Sequence, residues 1–237
     1  MVTESFSEVN DFHPVIDIGD TREVLDFSKG YDPGAISLDP PSVGRYNEKR
    51  RDMYTAGLFG GIRNIHMGID IWVPAGTPVR AFTGGKVLFF RDNDNPGDYG
   101  PTVVTEHKIG PNDAIFAHFV SGLGRESAWN RTGRGGGNER CREETDQPEA
   151  IQLYALFGHL ARRSLDQLAA GMPLKRGEVF AEVGGEHENG GWVPHLHFQL
   201  SWERPAEPDM PGVVSEEGLE RALLVYPDPR FVLGALY

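Results

Sequence analysis

Cysteine is all but absent: Cys141 is the only one in 237 residues. One thiol excludes an internal disulfide framework and every cysteine-rich zinc site, so a bound metal would need histidine and carboxylate ligands. Basic residues are also few, with 23 Lys and Arg against 35 Asp and Glu and a formal net charge of −12. No stretch gathers enough of them to follow a phosphate backbone, so nucleic acid is not expected as a partner. The acidity reads as a solvated surface rather than a device for steering a ligand. Long apolar runs are lacking too, so no membrane span is expected, and Met1–Asn10 has neither the basic nor the apolar region of a signal peptide. The chain as written is therefore expected in the cytoplasm. Composition does not address the oligomeric state.

A chain of this length can bury a core without disulfides, and one core with appendages is expected. Residues 1–60 are polar and interrupted by the turn signals Asp32-Pro-Gly34 and Asp39-Pro-Pro41, which predicts an irregular N-terminal extension. From residue 61 to 203 short β-rich runs alternate with turn residues: Ile69–Val73, Pro78–Phe82, Gly85–Phe90, Thr102–Glu106, Leu153–Phe157, Val179–Val183 and Phe198–Leu200. This spacing predicts antiparallel sheet. Helix is a minor component, expected at Ser164–Ala170 with Ser164 as N-cap, and at Ser215–Leu224 with Leu219, Leu223 and Leu224 on one face. The latter belongs to a C-terminal extension, residues 204–237, expected to pack on the core. Residues 121–151 are rich in Gly and Arg and poor in apolar residues, which predicts a disordered insertion, either a lid or a segment foreign to the fold. Its flanks, Ala114–Ala117 and Leu153–Phe157, read as strands.

Pro194-His195-Leu196-His197-Phe198 is the most informative stretch. Residues two apart on a strand share a face, so His195 and His197 project together while Leu196 and Phe198 turn inward. Such a pair alone is common on half-buried sheets and needs partners. His66-Met-Gly-Ile-Asp70 offers two, of types that suit zinc with an open coordination position. Fully extended, these residues would stand about 13 Å apart, so the segment has to bend, and Gly68 is the permissive place. Gly158-His159-Leu160 places a third histidine after an apolar strand, where a side chain emerges at a sheet rim. Tyr154 reads as a core residue, and His13, His107, His118 and His187 as structural or exposed, with His107 ending a strand. Asn189-Gly-Gly-Trp192 could line a cleft.

The order of these motifs carries a resemblance. His66-X-X-X-Asp70, then Ala75-Gly-Thr-Pro-Val79 with Ala81 and Gly85-Lys-Val87, then Gly158-His159-Leu160, then Pro194–Phe198 resemble the lysostaphin/LytM-type zinc endopeptidases that cleave bacterial cell-wall peptides, over residues 62–201. Tyr46–Arg50, Tyr54 and Leu58 resemble the extension that precedes some members. The resemblance implies an all-β fold, an antiparallel sheet folded on itself around an open groove in the manner of a barrel-sandwich hybrid, with few short helices. It implies one zinc ion held by His66, Asp70 and His197, with His159 and His195 flanking it as catalytic residues. Which of the two is the base stays open. The implied activity is hydrolysis of peptide bonds in peptidoglycan stem or cross-bridge peptides, with glycine-containing or D-amino-acid links favoured. The helix-borne signature His-Glu-X-X-His is absent, so the histidine pair has to act in place of a glutamate base. Two other readings compete. A regulatory module could retain the fold and the metal without catalysis, and Gly171–Gly184 resembles lipoyl-carrier and sugar-phosphotransfer domains, although no carrier lysine motif accompanies it.

Overall fold

Turn residues divide the chain into many strands, most of them short, and the computed structural model, which describes residues 12–113, 115–116 and 149–237, is built around four longer ones. The strands are β1 (Glu23–Val24), β2 (Ser42–Gly44), β3 (Glu48–Lys49), β4 (Ile65–His66), β5 (Ile69–Trp72), β6 (Pro78–Arg80), β7 (Gly85–Asn93), β8 (Gly100–Ile109), β9 (Ile151–Gly158), β10 (Pro173–Leu174), β11 (Val179–Glu182), β12 (His195–Ser201) and β13 (Val213–Val214). Eight of them form one sheet in the order β1-β2-β5-β12-β9-β8-β7-β10, while β11-β6 and β13-β4-β3 form two smaller sheets. Of these pairings, β1 with β2 is parallel and the others are antiparallel. The architecture is all-β, and the sheets are open rather than closed.

Period-two alternation decides which side chains enter the core. Ile69 and Ile71 of β5, Leu153, Ala155 and Phe157 of β9, and Leu196, Phe198 and Leu200 of β12 all join one buried cluster. The intervening Asp70, His195 and His197 are buried as well, on the opposite face. Tyr154 packs with Leu156 and Tyr99 in a second apolar cluster.

The structure departs from the sequence reading at several elements. The extension expected to be irregular contributes β1 and β2 to the main sheet and β3 to the three-stranded one. Val15 and Ile16 enter the core, and the Arg80 N–H donates to Val15 O at 2.8 Å. Strands of two or three residues show no period, so pairing with a neighbour is what makes them strands. The helix expected from Ser164 spans Arg162–Leu165 instead. Ala161 is the N-cap, its carbonyl accepting the Ser164 N–H at 2.9 Å, while Ser164 Oγ accepts from the Glu182 N–H at 3.0 Å instead of capping. In the tail the helix covers Leu219–Val225 with Ala222 and Val225 buried, whereas Leu223 is exposed. A further helix follows at Arg230–Leu233. The tail packs on the core through Val232 and Leu236. Ile115 and Phe116 are helical rather than extended. Residues 121–148 of the expected insertion, with His118 and Cys141, lie outside the described residues.

Candidate metal centre

Strand register brings the motif residues together. Asp70 on β5 stands directly opposite His197 on β12, and His197 is in turn opposite Gly158, the residue before His159. His66 follows on β4, opposite Glu48 of β3. Gly68 lies between β4 and β5, where the chain bends as expected, and the glycine has a second role there. It has no left-handed φ; a Cβ there would fall 2.5 Å from His197 Cε1. The glycine makes room for the imidazole.

Among the described residues, His66, Asp70 and His197 are buried and form a group able to hold a metal ion. Asp70 Oδ1 lies 3.3 Å from His66 Nε2 and 3.0 Å from His197 Nδ1, and the two nitrogens are 3.1 Å apart. A tetrahedral zinc ion with bonds of about 2.0–2.1 Å sets its ligand atoms roughly 3.3 Å from one another, so the spacing fits.

The partners on the far side of each ring decide what those atoms present. His66 Nδ1–H donates to Arg45 O at 3.0 Å, which leaves Nε2 with its lone pair. His197 Nε2 is 3.1 Å from Gln199 Oε1, and the Gln199 amide nitrogen donates to Pro211 O, which fixes Oε1 toward the ring. His197 Nε2 is therefore the N–H, and Nδ1 is bare. Two lone pairs and a carboxylate oxygen at such separations repel unless a cation sits among them. Burial works to raise Asp70, but His66 and the Arg50 guanidinium overcome it and hold the carboxyl well below its ordinary range. Burial, aided by the Arg50 charge, pushes His66 down to about 4.

His159 and His195 stand beside this trio with ring centroids 4.0 Å apart. His195 Nε2 is 3.9 Å from Asp70 Oδ1. Their outer nitrogens are committed alike: His159 Nδ1–H donates to Asn189 O at 2.8 Å and His195 Nδ1–H to Val193 O at 2.7 Å. Both therefore keep an Nε2 lone pair. Burial lowers both, His159 further through its histidine neighbours His195 and His197, so both are neutral near pH 7. His159 has φ 60°, a left-handed conformation that costs a non-glycine residue roughly 1 kcal/mol or more. Its N–H donating to Tyr99 O and its carbonyl accepting from Gly184 N–H, each at 2.8 Å, hold it there.

The five side chains open onto a cleft of about 260 Å³ whose walls include Met53, Tyr54, Phe59, Tyr99 and Trp192. Sequence reasoning singled out Trp192 but missed Tyr99, whose OH donates to Met210 O at 3.1 Å and lies 3.5 Å from His197 Nε2. It also missed Arg50, fully buried, with Nη1 2.5 Å from Asp70 Oδ2. No local signal marks Tyr99, and the resemblance of Tyr46–Arg50 to a family extension gives Arg50 no role in the site. Of the remaining histidines, His107 is buried inside β8 rather than at its end, and His187 is exposed. Among the described residues no helix is long and apolar enough to cross a membrane.

No family model matches the chain, and no curated protein matches it. Among solved structures it is similar to a zinc-containing peptidase from Vibrio cholerae, at 23% identity and TM-score 0.37, covering 66% of this chain and 31% of that one. It is similar to the catalytic domain of the prophage-encoded M23 protein EnpA from Enterococcus faecalis, at 19% identity and TM-score 0.37, covering 73% and 85%. A third is the catalytic domain of the antimicrobial peptidase lysostaphin from Staphylococcus simulans, at 16% identity and TM-score 0.39, covering 78% and 94%. The chain thus spans under a third of the length of the Vibrio peptidase.

Proposed function

We propose that this chain is a zinc-dependent endopeptidase that hydrolyses peptide bonds in peptidoglycan stem or cross-bridge peptides. The observation that carries the reading is the convergence of three bare donor atoms, His66 Nε2, Asp70 Oδ1 and His197 Nδ1, beside two neutral imidazoles with free Nε2 atoms. The substrate class comes from the motif order, which resembles lysostaphin/LytM-type peptidases.

Zinc, when bound, supplies Lewis acidity that polarises the scissile carbonyl and makes a water acidic near neutral pH. His66, Asp70 and His197 would hold the ion, and three protein ligands would leave a position open. His159 and His195 each keep Nδ1–H on a backbone carbonyl, so each faces the cleft as a proton acceptor. One takes a proton at Nε2 from the attacking water and returns it to the leaving amine. The other stabilises negative charge on the carbonyl oxygen only when its own Nε2 is protonated, since it has no other N–H to offer the cleft. The aromatic wall of Tyr54, Phe59 and Trp192 gives a peptide backbone flat surfaces to lie against.

The test is mass spectrometry of peptides released from purified peptidoglycan by the zinc-loaded protein, beside a chelated sample. Chelator-sensitive products are expected, and their ends identify the bond. No products from protein verified to hold zinc would favour the non-catalytic regulatory module instead.

A further inference from the structure

Arg50 has no solvent exposure at all and sits 20 positions before the carboxylate it touches. Its guanidinium contacts four oxygens: Nη1 donates to Asp70 Oδ2 at 2.5 Å and to Tyr54 OH at 2.9 Å, Nε donates to Glu48 Oε2 at 3.1 Å, and Nη2 reaches Arg45 O at 3.5 Å. Buried ion clusters of this kind are weak sources of stability, because desolvation offsets the attraction. What the cluster does have is geometry. It takes one oxygen of Asp70 and leaves the other, Oδ1, facing His66 and His197. The same Arg45 carbonyl that Nη2 approaches also accepts His66 Nδ1–H, so one short stretch orients two of the three candidate ligands.

We infer that Arg50 is a positioning residue of the metal centre: by clamping Asp70 Oδ2 it makes the carboxylate a one-oxygen ligand and keeps the remaining coordination position open. This rests on the zinc reading above. It extends the functional unit upstream of residue 61, because the segment carrying Glu48, Arg50 and Tyr54 both holds a ligand and walls the cleft.

Charge and positioning predict opposite signs. Arg50 is a cation beside a cation site, so on charge alone its removal tightens zinc binding. If it positions Asp70, removal loosens zinc, by about 10- to 100-fold for a supporting residue of this kind. Arg50→Met is measured in the full chain by competition for zinc against a chromophoric chelator, and by the visible spectrum of the cobalt-loaded protein, which reports coordination number. The expected result is a loss of at least tenfold in zinc affinity, with a weaker cobalt absorption as Asp70 Oδ2 joins the ion. Arg50→Lys, which keeps the charge without the fork, changes the spectrum in the same direction. Because Arg50→Met strands the Glu48 carboxylate, Glu48→Gln/Arg50→Met is measured beside it. Gly44→Ala is a further variant, since a methyl there would lie 2.5 Å from Arg50 Nη2 and displace the guanidinium without removing it. A smaller loss of affinity in a folded variant, a tighter site, or a wild-type cobalt spectrum overturns the inference. Failure of all these variants to fold overturns it too and assigns Arg50 to the stability of the sheet. Wild-type protein that binds no zinc would sink the zinc reading and this inference together, whereas zinc-binding wild type with an indifferent Arg50 sinks this inference alone.

Discussion

Gly68→Ala places one methyl group against a candidate ligand. The added Cβ would stand 2.5 Å from Cε1 and 2.6 Å from Nε2 of His197, and 2.9 Å from the Phe198 carbonyl oxygen. Carbon contacts become comfortable only near 3.5 Å, so the imidazole has to retreat by about 1 Å. Behind it stand the Tyr99 ring, with centroids 5.0 Å apart, and Gln199, so the retreat is resisted. Two consequences follow. Overpacking of this size destabilises the fold by about 1–3 kcal/mol. A metal ligand tolerates displacements of only about 0.2 Å, so a shift five times larger removes His197 from the centre. Zinc affinity then drops by at least about 100-fold, equivalent to roughly 2.7 kcal/mol. Denaturant unfolding of the metal-free variant measures the first effect, and zinc competition measures the second. A folded Gly68→Ala protein whose zinc affinity stays within threefold of wild type would refute the claim that Gly68 exists to admit His197.

His197→Ala is expected to lose zinc, whereas His195→Ala keeps zinc and loses turnover; metal analysis after gel filtration, paired with peptide release, separates the two, and loss of metal in the His195 variant would reverse the assignment. The metal also links to stability: zinc at 100 times its dissociation constant should add about 2.7 kcal/mol to unfolding, removable by chelator, and a melting temperature indifferent to zinc would count against the site. His107 tests burial away from the centre. Its ring lies between Phe82, Gly84 O and Thr105, and burial lowers it to about 4 in the folded protein. The unfolded chain binds the proton first, near pH 6.5, so the stability is full above that pH and is lost as pH falls toward 4, by about 3 kcal/mol. His107→Gln should flatten this decline, and parallel curves for variant and wild type between pH 7 and 4.5 would contradict it.

How much of the site was legible depended on the range of the interaction. His195 and His197 could be paired from sequence because alternation on a strand is local, and the structure places both on the face away from Leu196 and Phe198. Arg50 was hidden because its contact with Asp70 depends on β2 lying against β5, Gly44 opposite Asp70, and on β3 lying against β4. Strands of two or three residues carry no readable period. Tyr99 was hidden for a related reason, since it reaches His197 from the loop between β7 and β8.

By itself the sequence determined the class of fold, the alternation that separates core from site, and the order in which His66, Asp70, His159, His195 and His197 occur. Tertiary structure alone decided which atom of each residue faces inward. Arg45, Asn189 and Val193 carbonyls and the Gln199 side chain select the bare nitrogens, and Arg50 selects the free oxygen of Asp70. Those choices are made by partners distant in the chain, because a ring nitrogen or a carboxylate oxygen takes its role from the group hydrogen-bonded behind it, and no local pattern encodes that neighbour.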